Sequence, residues 1–260
     1  MQGQDTPEQG LTYDRQLLLG GAKRNAVLEL WEVHRYGIDS HSDADYVSIY
    51  GMRPASWHAK GVRLLGRTAV ECTRRVSRCD RQGCCRCRRK APYTVGLLVD
   101  LFAGSGNTLF WLLRHFAGAQ GIGFELDSQV FRLTQQNLAA LESPINILNT
   151  DYRSGLSGVS VAADQLLIAF IAPPWGDALS KAHGLDLRFT KPPIAEIVDF
   201  LLHSFAHNPL LCAIQVHETV APAPLVEVES RFDWSRLRVY SLNPLGENHG
   251  IPLGTKGWTP

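Results

Sequence analysis

One run limits the possible folds more than any other: VGLLVDLFAGSGNT at residues 95–108, followed by GIGFELD at 121–127. The unbroken apolar stretch Val95–Phe102 reads as a strand buried on both faces. Gly104 and Gly106 end it in a tight turn, and Asn107–Ala117 has the spacing of a helix. Gly121–Asp127 reads as a second strand, and Ser128 can cap a helix running through Leu141. Strand, glycine turn, helix and strand make a parallel crossover, which commits the chain to a twisted α/β sheet with helices on both faces.

The rest of the C-terminal part repeats this alternation. Ile145–Asp151 and Leu166–Ala172 read as the third and fourth strands, and Leu210–His217 as the fifth. Leu237–Leu242 reads as a further strand. A helix is expected over Pro193–His207, with proline suited to its first turn. The tail NPLGENHGIPLGTKGW reads as a folded loop, in which Asn248 and His249 are weaker candidates for substrate contact. Residues 1–92 form a mixed N-terminal extension, helical around Ala22–His34 and with short strands near Tyr46–Tyr50. The expected organisation is therefore an extension over 1–92 and a sheet domain over 93–260.

Composition removes several classes. No run of eighteen apolar residues exists, so no membrane span is expected. The opening MQGQDTPEQG is polar and lacks a secretory apolar region, which makes a cytoplasmic protein the expectation. Five of the six cysteines fall between Cys72 and Cys87. That clustering does not suit an extracellular disulfide framework. Their spacing also lacks the paired CxxC of a zinc cage, so no metal site is assigned. From Glu71 to Lys90 the chain carries seven arginines and one lysine against Glu71 and Asp80. A solvated loop and a contact for RNA phosphate are both open readings of that run.

The first crossover also limits the ligand. An adenosine group binds at the carboxyl ends of the strands of such a sheet. A dinucleotide would need its pyrophosphate on the helix N-terminus and, usually, a third glycine where this chain has Leu109. Asp100 closes the first strand, where a carboxylate would repel pyrophosphate. S-adenosylmethionine carries an ammonium and a sulfonium instead, and Asp100 suits it. Glu125, about twenty residues past the turn, fits ribose hydroxyls, and Asp151 is placed to accept from the adenine amino group.

VDLFAGSGNT, GFELD, NTD and APPWG, in this order, resemble the class I S-adenosylmethionine-dependent methyltransferases. Within that class the chain is most similar to the trimethylguanosine synthase family of RNA guanine-N2 methyltransferases. That family also carries a small residue before Pro-Pro-Trp-Gly and a segment like Leu185-Asp186-Leu187-Arg188-Phe189-Thr190. The likeness spans Thr94 to Val220, about half the chain. It implies a Rossmann-like class I methyltransferase sheet and S-adenosylmethionine as cofactor. The implied cofactor contacts are Asp100, Phe102, Ala103, Gly104, Gly106, Asn107, Thr108, Glu125, Leu126, Asp151, Tyr152 and Ala172. Pro173, Pro174 and Trp175 would place the acceptor, with Asp177 and Arg188 beside it. His183, Asp186, His217 and Glu218 are secondary candidates.

Many amino-group methyltransferases have Asp or Asn at the position of Ala172. A neutral amine loses its proton only as the new bond forms, so alignment can supply much of the rate, on the order of 7–11 kcal/mol. The backbone carbonyls of Ala172 and Pro173 can accept where a carboxylate would, and Trp175 can stack on the acceptor ring. The expected acceptor is a purine amino group in RNA. A small amine or hydroxyl compound is the alternative, and a non-catalytic nucleic-acid-binding module a third reading.

Overall fold

The computed structural model describes residues 11–72, 91–180, 182–240 and 249–260. Most of the arginine- and cysteine-rich run expected at 71–90 lies outside these residues, as do Asn248 and the end of the strand expected over Leu237–Leu242. Strands β1 (Thr94–Asp100), β2 (Gln120–Phe124), β3 (Asn146–Leu148), β4 (Gln165–Ile171) and β7 (Leu210–Ile214) are mutually parallel. A small hairpin, β5 (Leu179–Ser180) and β6 (Gly184–Leu185), stands apart from them. The main sheet is completed by β8 (Val216–His217), β9 (Trp234–Tyr240) and β10 (His249–Lys256) in the order β3-β2-β1-β4-β7-β10-β8, with β9 on the outer side of β10.

Continuous apolar strands are explained by two cores, one on each face of the sheet. Leu98, Ile168, Phe170 and Leu211 point into one, and Val99, Leu167, Ala169 and Cys212 into the other. Successive side chains of a strand alternate faces, so a strand covered on both sides has no polar register to keep. Helices α5 (Asn107–His115) and α6 (Ser128–Ala140) contribute to the first core. Helices α7 (Tyr152–Leu156), α8 (Ile194–Ser204) and α9 (Pro222–Glu229) cover the second. The cap of α6 is Asp127, whose carboxylate accepts from the Gln129 and Val130 amides, rather than Ser128. The chain winds outward from β1 to β3 and returns to β4 on the other side of β1. That reversal opens the crevice in which sheets of this kind bind ligands.

The N-terminal part holds α1 (Arg15–Leu19), α2 (Leu30–His41), α3 (Pro54–Ala59) and α4 (Gly66–Glu71). The helix expected around 22–34 begins later, because Glu29 and Glu32 form a reciprocal capping box that starts it at Leu30. Near Tyr46–Tyr50 there is no strand, only a bridge between Ile49 and Met52 that closes a turn with Tyr50 and Gly51 at φ 52° and 77°. Leu28, Val33, Tyr36, Trp57 and Leu64 lie in the same core as Leu98, Leu109 and Leu138. The extension therefore supplies one wall of the sheet's first core. Asn137 of α6 fastens it by accepting from the Arg63 amide and donating to the Arg63 carbonyl, both at 2.8 Å.

From His249 to Lys256 the tail is a strand, not a loop. β10 lies antiparallel between β9 and the β7–β8 edge. Gly254 is needed there, since a Cβ would meet the Phe232 ring at 2.3 Å. Pro252 is tolerated because β7 pairs only with 253–256 and β8 only with 249–250, so its missing N–H falls at the break between them.

Candidate cofactor and acceptor site

Asp100 ends β1 almost completely buried, at 1% exposure. Its Oδ1 accepts from the Phe102 amide at 3.3 Å. Burial pushes its carboxyl up to about 7; the Phe102 amide works against this and neighbouring Glu125 adds to it. Among the described residues Asp100 has no ion-pair partner. A buried acid in that state favours a cation entering beside it.

The turn after β1 is held from several directions. The Ala103 amide donates to the Phe124 carbonyl at 2.8 Å, and Thr134 Oγ1 donates to the Gly104 carbonyl at 2.7 Å. Gly106 lies at φ 72°, and a Cβ there would sit 2.9 Å from Ile147, so a side chain would be strained twice over. Glu125 binds the turn to the end of β2: Oε2 accepts from the Gly104 amide at 3.0 Å and Oε1 from the Asp127 amide at 2.8 Å. Burial raises the Glu125 carboxyl and those two amides oppose the rise. One lone pair on each oxygen is used this way; a carboxylate has about four acceptor positions, so hydroxyl donors still have room.

Asp151 caps α7 by accepting from the Arg153 amide through Oδ1 at 2.8 Å. Tyr152 is buried, with its ring 5.6 Å from Phe102 and its hydroxyl among the described buried atoms without a partner. Leu126 stands 71% exposed at the rim directly after Glu125. Ala103 and Thr108 are buried within the turn and first helix. The side chain of Asn107 accepts from the Tyr50 amide at 2.7 Å.

That last contact belongs to a tether that sequence reasoning missed. Tyr50 is buried, its hydroxyl donates to the Ser105 carbonyl, and its ring packs edge-on to Phe110. The extension thus grips the turn on either side of Gly106, at Ser105 and at Asn107. Arg67 is a second missed residue: it pairs with Asp127 at 2.7 Å, next to the amide that binds Glu125. Neither had a signal in sequence, since the partners lie more than fifty residues away.

The acceptor side begins where β4 ends. Ala172 is half-buried, Pro173 buried and Pro174 exposed. No described donor reaches the carbonyl of Ala172 or Pro173 at the switch point. The half-buried Trp175 ring meets His217, at the end of β8, at 5.8 Å and an interplanar angle of 87°. His217 Nδ1 accepts from the Thr219 amide, which leaves the proton of the neutral ring on Nε2. The β5–β6 hairpin then turns the chain back, and the Asp186 amide donates to the Ala178 carbonyl at 2.9 Å. Asp186 grips Arg188 through two bonds of 3.0 and 2.6 Å, and the Arg188 guanidinium holds the Asp186 carboxyl below the usual range. Phe189 is 63% exposed beside that guanidinium. Asp177 and His183 project, exposed, from the same segment.

No protein-family model matches the chain, and no curated protein does. Among solved structures it is similar to the N-terminal domain of human METTL16, with a TM-score of 0.50 and 14% identity over 69% of this chain and 67% of that one. The same human domain in complex with SAH gives a TM-score of 0.48 at 14% identity, over 69% of this chain and 68% of that one. An rRNA methylase from Streptococcus thermophilus gives 0.38 at 16% identity, over 63% of this chain and 89% of that one. With the strand order above, the first likeness shows a Rossmann-like α/β fold shared with that domain. Among the described residues no helix is long and apolar enough to cross a membrane.

Proposed function

We propose that this chain is an S-adenosylmethionine-dependent methyltransferase acting on a purine amino group in RNA, in the manner of the guanine-N2 enzymes. The observation that carries the cofactor reading is Asp100, a buried carboxylate with no described counter-ion beside a turn closed by two glycines. Its negative charge suits the ammonium and repels a diphosphate. Glu125 offers remaining lone pairs to ribose hydroxyls, Asp151 its second oxygen to the adenine amino group, and Leu126 an apolar wall. Ala103, Gly104, Gly106 and Thr108 shape the cradle. Asn107 acts through Tyr50, as a support of the turn.

When bound, S-adenosylmethionine supplies a methyl group on sulfur, which departs as a neutral thioether. The protein has no leaving group to protonate. Its work is to hold an amino nitrogen in line and accept its hydrogen bonds while it loses a proton to water. The carbonyls of Ala172 and Pro173, which no described donor reaches, do the accepting in place of a side-chain acid. Trp175, braced by His217, offers a ring for stacking. The RNA reading is supported by the exposure of Arg188 and Phe189 on the same loop, since unstacked bases are recognised by aromatic and guanidinium planes.

The test is to offer the pure protein labelled cofactor with total RNA and, separately, with a small-molecule extract. Label in RNA, at the exocyclic nitrogen of guanine after digestion, is the expected result. Label only in the extract assigns a biosynthetic substrate. Absence of micromolar cofactor binding in calorimetry assigns a non-catalytic module.

A further inference from the structure

An open groove of about 780 Å³ lies between the turn at 24–27 of the extension and the first half of α6. Arg24, Arg67, Arg132, Asn25, Gln129 and Gln136 line it, with Asp127 as the one carboxylate in its wall. Arg67 is paired to that carboxylate, yet its Nε is buried with no described acceptor. Arg24 donates one bond to the Leu19 carbonyl, and Arg132 is held along the helix by Ser128. Both keep further N–H groups on exposed side chains, because a guanidinium carries five. Glu71 lies within Coulombic reach of Arg15, Arg24 and Arg67. Planar guanidinium forks fit phosphate oxygens in pairs, and amide side chains suit the same backbone.

We propose that this groove binds phosphodiester groups of the RNA strand whose base is methylated. The inference rests on the RNA reading above. Asp127 follows Glu125 closely, so the groove opens beside the adenosine end of the cofactor cleft. Trp175 stands past the end of β4, two strand spacings from β2, or roughly 10 Å. A single strand laid from Trp175 toward α6 would pass over the cleft and place phosphates a few nucleotides away against Arg24 and Arg132. The groove is larger than one phosphate needs, which favours a chain of them.

The test reverses charge at the two exposed arginines, Arg24→Glu with Arg132→Glu, in the whole 260-residue chain. Arg67 is left alone because it holds Asp127. Fluorescence anisotropy with a short labelled single-stranded oligoribonucleotide is read across a salt series. The expected result is about tenfold weaker binding and a log–log salt slope shallower by about 1.4, at about 0.7 per lost phosphate contact. Cofactor affinity stays within about twofold, which shows that the variant folds. Arg24→Lys with Arg132→Lys restores most of the slope.

Unchanged RNA affinity and slope in the reversed variant, while the wild-type protein still labels RNA, overturn the groove and leave the RNA reading standing. Displacement of the oligonucleotide by inorganic phosphate at constant ionic strength also overturns the proposal, by assigning a small-anion site. If the wild-type protein binds no RNA and labels only small molecules, both fall together. Loss of binding to an acidic protein, with RNA binding intact, replaces RNA by a protein partner and overturns it too.

Discussion

The two halves of the site's rim are built in opposite ways. On the β1–β2 side, a buried acid, two glycines and Glu125 are locked by backbone bonds, by Thr134 and by Tyr50 from the extension. On the β4 side, no described donor reaches the carbonyls of Ala172 and Pro173, and Trp175, Asp177, Arg188 and Phe189 stand half-buried or exposed. The first half suits a ligand whose shape never changes. The second suits a larger partner that brings its own surface. The proposed methyl transfer would use this asymmetry, because each turnover binds the same methyl donor while alignment of the acceptor sets the rate.

The largest effect is expected at Asp100. Asp100→Asn is expected to weaken S-adenosylmethionine about 100-fold in calorimetry, since a charge-assisted bond contributes about 1.5–3 kcal/mol. The same change should raise the melting temperature without cofactor near neutral pH, because it removes a buried charge. Cofactor affinity that survived this substitution would mean the first half holds something other than a cation. On the opposite half, Trp175→Ala is expected to lower kcat/KM about 30-fold with cofactor affinity within about twofold, the range of base stacking. A collapse of cofactor affinity would instead make the indole part of the packing.

A pH series sharpens the contrast next. Burial raises the Asp100 carboxyl from 3.8 to about 7. The folded protein therefore holds this proton more tightly than the unfolded chain does. The resulting stability is fully present below 3.8 and is lost as pH climbs to about 7. Cofactor binding runs the other way, because the ammonium needs the ionised acid: affinity should rise about tenfold between about pH 6 and about pH 8. Asp100→Asn should flatten both curves, which thermal melts and calorimetry can follow. The smallest effect is expected at Tyr50→Phe. It removes one buried hydrogen bond, for about 1 kcal/mol of stability by denaturant melts, and should weaken the cofactor about threefold by loosening the turn.

The locked half was also the more legible in sequence. Asp100, Gly104, Gly106 and Glu125 sit in one contiguous crossover, where apolar strands and glycine spacing announce the geometry. Ala172–Trp175 were readable as a strand end for the same reason. The tethers were not: Tyr50 meets Asn107 across 57 residues, and no local pattern marks such a pairing. The strand β10 escaped because Gly250, Pro252 and Gly254 look like loop punctuation. Their reasons are Val216 and Phe232, which crowd the glycines from other elements, and the break between β7 and β8 that shelters the proline. Helix α2 was misplaced because its start is set by side-chain reciprocity at Glu29 and Glu32 rather than by apolar spacing.

The shared first core has a consequence for how the molecule is made. Leu28, Val33 and Trp57 share their core with β1, α5 and α6, all of which leave the ribosome later. At about 5–20 residues per second, the early greasy surface waits several seconds for its cover. Newborn chains stalled before Leu138 should be the ones that chaperones hold and proteases find.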